Sequence, residues 1–178
     1  MNNTTPARAA AAAAGIGTAL LLQATLVAPV FGTVPVSLPA VVVAAVALVD
    51  GPAVGIAFGF AAGLVADLGS DHPAGILALC WLAVGLVAGT FAERRNLRRD
   101  AAAVAVICTA AAVAATALLA LVHGATIGSA IRGALPCLLG DLLLAFGIVP
   151  LVRRMLRSDR LRPPRPVGLP VAAGGHRG

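Results

Sequence analysis

The sequence predicts an all-α membrane protein, a bundle of six transmembrane helices. Three observations carry that prediction: too much apolar content for a water-facing surface, long unbroken apolar runs, and arginines gathered in alternate connections. Of the 178 residues 60% are apolar and 11% charged, with a mean hydropathy of +0.97. A soluble domain of that composition would have too little polar surface to face water, so a bilayer is its natural solvent. The apolar runs last about 12 to 22 residues, whereas a spanning β-strand alternates apolar and polar positions over about ten residues. With 20 glycines and 3% aromatics, close helix contact is favoured over a core of large rings.

The elements follow in order. Residues 1–8 form a polar tail ending at Arg8, and 9–28 form the first span, interrupted only by Gln23 and small hydroxyls. A basic start before an Ala-rich run also suits a signal peptide. The apolar stretch is longer than the roughly 7–15 residues of such a segment, so an uncleaved anchor is expected. A loop with Pro29 and Pro35 follows. Pro39 then falls in a first helical turn, where a missing N–H costs nothing, and opens the second span, 38–49. Asp50-Gly51-Pro52 separates it from the third span, 53–68. The fourth span is 75–91, the charged segment 93–100 is a loop, and the fifth and sixth spans are 101–122 and 130–152. Residues 153–178 are rich in Arg, Pro and Gly without apolar periodicity, and are expected to be a disordered tail.

Charge decides the number of spans, because basic residues in short loops stay on the cytoplasmic side. Six spans with a cytoplasmic N-terminus place Arg8, Arg94, Arg95, Arg98, Arg99 and the seven tail arginines on one side, leaving only Arg132 opposite. A single span over 38–68 would split the arginines between both faces. Both termini are therefore expected in the cytoplasm. The second and third spans fall short of the roughly 20 residues of a full crossing, and should lean on neighbours or thin the bilayer. Arg94, Arg95, Arg98, Arg99, Arg153, Arg154 and Arg157 are expected on anionic lipid headgroups, at about 1 kcal/mol each. The net charge of +6 is not read as a nucleic-acid footprint, since no aromatic residues are interleaved with the arginines.

Within the spans, Gly51, Gly55, Gly59, Gly63 and Asp67 recur every fourth residue. A four-residue step advances only about 40° around a helix, so they form one slowly winding stripe. Such a groove admits another helix at backbone distance, and Gly85 with Gly89 offers a second small-residue pair. The stripe serves either packing within the bundle or docking of a partner's transmembrane helix. Gln23 is expected to hydrogen-bond between helices. Asp67 is expected near the outer boundary, paired with Arg132 or facing water, and Asp141 inside the sixth span, protonated and hydrogen-bonded or on a proton or solute path. Cys80, Cys108 and Cys137 are far apart in apolar runs and read as small buried hydrophobes. His72, His123 and His176 have no second ligand at metal spacing. No nucleophile-base set, phosphate loop or paired carboxylates stand out, so neither enzymatic activity, metal nor cofactor is expected.

The segment GPAVGIAFGFAAGLVADLGSDHPAG, with Gly51, Gly55, Gly59, Gly63, Asp67 and Gly75, preceded by Gln23, Pro35 and a short second span, resembles the bacterial rod shape-determining protein MreD family. The resemblance covers about residues 15–155. It implies a small six-helix protein of the bacterial plasma membrane, similar in architecture to the substrate-binding subunits of energy-coupling-factor transporters. It also implies a partner, the bitopic protein MreC, within the machinery that links cytoskeletal filaments to the peptidoglycan synthase. The chain departs from the family in having Val36 and Ser37, not an acid, after Pro35, and in its Arg/Pro tail. A rival reading is the membrane subunit of a transporter for a small vitamin-type solute. That reading requires an outward pocket with polar or aromatic lining and Asp141 facing it.

Overall fold

The computed structural model describes residues 6–31, 36–69, 75–91, 97–122 and 128–156, and the elements there are all helical. Helix α1 (Pro6–Leu22) runs through a π-helical stretch (Gln23–Val27) into the short α2 (Ala28–Phe31). The widened turn precedes Pro29, which has no N–H to offer the Thr25 carbonyl and whose ring crowds it. Then come α3 (Leu38–Asp50), α4 (Pro52–Leu68), α5 (Ile76–Thr90), α6 (Leu97–Val122) and α7 (Gly128–Leu156). Pro6–Val27, Arg98–Leu121 and Ala134–Leu156 are long and apolar enough to cross a membrane, while α3, α4 and α5 are shorter apolar helices. The protein is a helical membrane protein.

Residues 38–68 form two helices and not one kinked rod. Gly51 is the joint, with φ at 90°, a left-handed conformation that glycine adopts without Cβ strain. Its N–H closes α3 by donating to the Ala47 carbonyl at 2.8 Å, and Pro52 opens α4 in a first-turn position.

Two boundaries correct the sequence reading. Residues 97–100, expected in a loop, form the first turn of α6, and α7 continues to Leu156, so Arg153 and Arg154 are helical and not part of a tail. The reason is charge placement: Asp100 stands in the first turn of its helix and the two arginines in the last turn of theirs, where each sign suits the local helix dipole. Residues 157–178 with Arg157 and His176, and Pro35, His72, Arg94, Arg95 and His123, lie outside the described residues.

Helix α3 is the axis of the bundle. It is apolar all round, and Val41, Val43, Ala44, Ala45 and Ala47 have no exposed surface. It packs against α1, α4, α5, α6 and α7, and these five also touch in sequence around it: α1 with α4, α4 with α5, α5 with α6, α6 with α7, and α7 with α1. At 13 residues, α3 rises only about 20 Å, against a hydrocarbon thickness of about 30 Å. A short axis inside a ring of neighbours leaves one end of the bundle without a centre.

Candidate functional site

The glycine stripe forms the joint between α4 and α5. A Cβ on Gly55 would lie 2.3 Å from the Gly85 carbonyl oxygen, on Gly59 2.3 Å from that of Trp81, on Gly63 2.5 Å from the Ala78 Cα, and on Gly89 2.3 Å from the Pro52 Cα. The two helices therefore meet backbone to backbone along their whole antiparallel contact. Of the two uses expected for the stripe, this one occupies it. The face is covered from within the chain, so the expectation that it receives a partner's helix is corrected.

That close approach sets up the next interaction. One turn beyond Gly63, the buried Asp67 carboxylate reaches the start of α5 and accepts the N–H groups of Gly75 at 2.8 Å, Leu77 at 3.1 Å and Ala78 at 3.0 Å. Gly75 holds the N-cap position with φ at 104° and has no side chain to cap with, so Asp67 supplies the carboxylate from the neighbouring helix. Its charge also suits the positive end of the helix dipole. Asp67 thus turns inward, correcting the alternative that it faces water. The side chain of Arg132 lies outside the described residues, so the Asp67–Arg132 pair does too. Replacing Asp67 with Ala is expected to lower stability by about 2 kcal/mol, the upper range for losing a cap, with Asp67→Asn intermediate; thermal unfolding in detergent measures it.

Gln23 does for α3 what Asp67 does for α5. Its amide spans both sides of the entry to α3: Nε2 donates to the Val36 carbonyl at 3.0 Å, and Oε1 accepts the Leu38 N–H at 2.9 Å. Ser37 accepts from the Ala40 N–H at 3.4 Å, and Pro39 has no N–H, so the first-turn donors of α3 are accounted for. Gly140 of α7 leaves the notch that Val36 fills, since a Cβ there would meet Val36 Cγ2 at 2.5 Å. Sequence reasoning passed over Gly140, which stands outside the four-residue stripe, seven residues from both Gly133 and Gly147.

At the opposite end of the bundle stand two ion pairs, Arg8 with Asp50 and Arg153 with Asp100. The first ties the start of α1 to the end of α3, the second the start of α6 to the end of α7. Side-chain exposure is 13% for Arg153 and 1% for Asp100, so Arg153 is committed to the protein, correcting its expected place on lipid headgroups. Arg98, Arg99 and Arg154 are exposed at this same end. Sequence reasoning missed Asp50 and Asp100. The available signal was that each acid stands at a helix end on the side where the arginines gather.

Asp141 is 1% exposed, between α6 and α7. Its Oδ2 accepts the Thr109 hydroxyl at 3.0 Å and the Cys137 thiol at 3.5 Å, and the backbone N–H of Ser37 also reaches the carboxylate. Cys80, Cys108 and Cys137 are free and buried, and no group able to hold a metal ion occurs among the described residues.

The end of the bundle beyond α3 holds a cavity of about 570 Å³. Val36, Ser37 and Ala40 at the start of α3 form its floor, and the far halves of α1, α4, α5 and α6 its walls. Trp81, the single tryptophan of the chain, lines it. Asp141 does not; its carboxylate is engaged by Thr109, Cys137 and the Ser37 backbone. Comparisons with protein-family models, curated proteins and solved structures give no match to this chain.

Proposed function

We propose that this chain is a non-catalytic membrane scaffold of bacterial cell-wall elongation, of the MreD kind, which maintains cell shape together with MreC. The observation that carries the reading is the behaviour of the segment on which the resemblance rests. Gly55, Gly59 and Gly63 press α4 onto α5, Gly51 turns the chain into α4, and Asp67 with Gly75 locks the start of α5. These six residues act as one packed unit, which gives each of them a reason to stand where it does. A packed unit of this kind suits a protein that holds others in place.

Six crossings with both termini in the cytoplasm of the plasma membrane fit the gathering of Arg8, Arg98, Arg99, Arg153 and Arg154 at one end. The architecture of energy-coupling-factor substrate subunits fits the same count. Because α5 occupies the stripe, MreC's transmembrane helix would meet another face, and contact with the wall synthase and cytoskeletal complex would follow through MreC. The exposed arginines suit anionic headgroups.

The vitamin-type transport subunit is the second reading, and the cavity with Trp81 in its wall favours it. The polar groups there are already engaged in the fold, and Asp141 does not line it, which ranks it below the scaffold. Depletion in the host is the test. Rounded cells and co-purification of MreC are expected; normal rods with no MreC captured, or a transport ATPase captured instead, would overturn the scaffold.

A further inference from the structure

We propose that the cavity above α3 holds one acyl chain of a membrane phospholipid, in the leaflet opposite the arginine end. The inference does not depend on the scaffold reading.

Chemistry excludes a charged or strongly polar occupant first. No charged side chain lines the cavity among the described residues. The Gln23 amide is held at both ends, the Thr116 hydroxyl donates back to the carbonyls of Ala112 and Val113, and the Ser37 oxygen accepts from Ala40. At the floor, where the N-terminus of α3 might have attracted an anion, Gln23 and Ser37 already take the Leu38 and Ala40 donors. The rest of the lining is Leu, Val, Ala and Gly with Cys80, Cys108 and Trp81.

Dimensions then select among apolar occupants. The wall contributed by α6 runs from Cys108 to Leu119, a rise of about 16 Å, close to the roughly 15 Å depth of hydrocarbon in one leaflet. That depth is half of the roughly 30 Å that a transmembrane helix must cross, and the start of α3 closes the hollow below. A partner's transmembrane helix does not fit; a single hydrocarbon chain does.

The mouth points the same way. Leu21 and Val65 line the cavity and are 69% and 55% exposed, so it opens at the surface where the ends of α1 and α4 come together. Leu22, Leu26, Leu64 and Leu68 are exposed around that opening. In a membrane, such a rim faces lipid tails and not water, and a chain can enter sideways while its headgroup stays at the interface.

Trp81 is the built-in reporter, being the only tryptophan, a lining residue, and 7% exposed. The full chain is reconstituted in phosphatidylglycerol–phosphatidylcholine vesicles whose acyl chains carry bromine, a contact quencher of indole fluorescence. Loss of most Trp81 emission relative to unbrominated vesicles is expected. Emission unchanged by the brominated chains overturns the proposal on the wild-type protein alone, since bulk lipid cannot reach a buried ring. Ala112→Leu, which fills the wall, is expected to restore emission while helicity by circular dichroism is kept; quenching equal to wild type in that folded variant assigns it to lipid outside the cavity and overturns the proposal. A polar solute retained through purification, with no quenching, overturns it as well.

Discussion

Replacing Gly85 with Leu is expected to abolish the folded bundle, at a cost above about 4 kcal/mol, while Gly147→Ala on α7 leaves it intact. A Cβ at Gly85 would stand 2.0 Å from the Gly55 carbonyl oxygen and 2.3 Å from its carbon, whereas one at Gly147 has no neighbour within 4 Å. The obstacle is backbone, which cannot swing aside as a side chain can, so the helices must separate. Separation would then withdraw Asp67 from Gly75, Leu77 and Ala78, because the carboxylate reaches them only through the approach that the glycines permit. The loss should be cooperative, and Gly55→Leu and Gly59→Leu should repeat it. Thermal unfolding and limited proteolysis in detergent read the difference; a stable Gly85→Leu protein with unchanged α4–α5 cross-linking would contradict the packing.

Arg153→Ala is the second large effect, expected to cost about 3–5 kcal/mol, because it removes the guanidinium and leaves a carboxylate that is 1% exposed without its countercharge. The cost belongs to the stranded charge more than to the pair. The double variant Asp100→Leu with Arg153→Met should therefore recover most of the stability, since paired apolar replacements avoid the buried charge altogether. Equal loss in the single and double variants would show that Arg153 acts by other contacts. The measurement is a double-mutant cycle by thermal or denaturant unfolding, and the same logic extends to Arg8 and Asp50 with a smaller effect, because Arg8 is more exposed.

Local composition and chain direction were legible in the residues themselves. Apolar runs, the break at Asp50-Gly51-Pro52 and the gathering of arginines depend on neighbouring positions only, and each corresponds to a helix, a joint or a charged end in the structure. The four-residue glycine spacing also announced a close helix contact, since only an absent side chain allows it. Which helix would fill the stripe was not written in the spacing. Gly85 and Gly89 of α5 and the backbone of Trp81 answer it through an antiparallel register between segments more than twenty residues apart.

Gln23, Asp50, Asp67, Asp100 and Asp141 show the same division. Polarity inside apolar runs marked Gln23, Asp67 and Asp141 as needing partners while Asp50 and Asp100 were passed over, and the partners of the five are the Leu38 N–H, Arg8, the start of α5, Arg153 and Thr109, all brought near by folding. The sequence by itself determined that the chain must satisfy its backbone as helices in lipid, and which segments carry its charge, because both follow from hydration of individual residues. Only the tertiary structure decided that the 13-residue α3 stands at the centre and leaves a hollow above it. A void is a property of how lengths combine around an axis, and no single segment carries it.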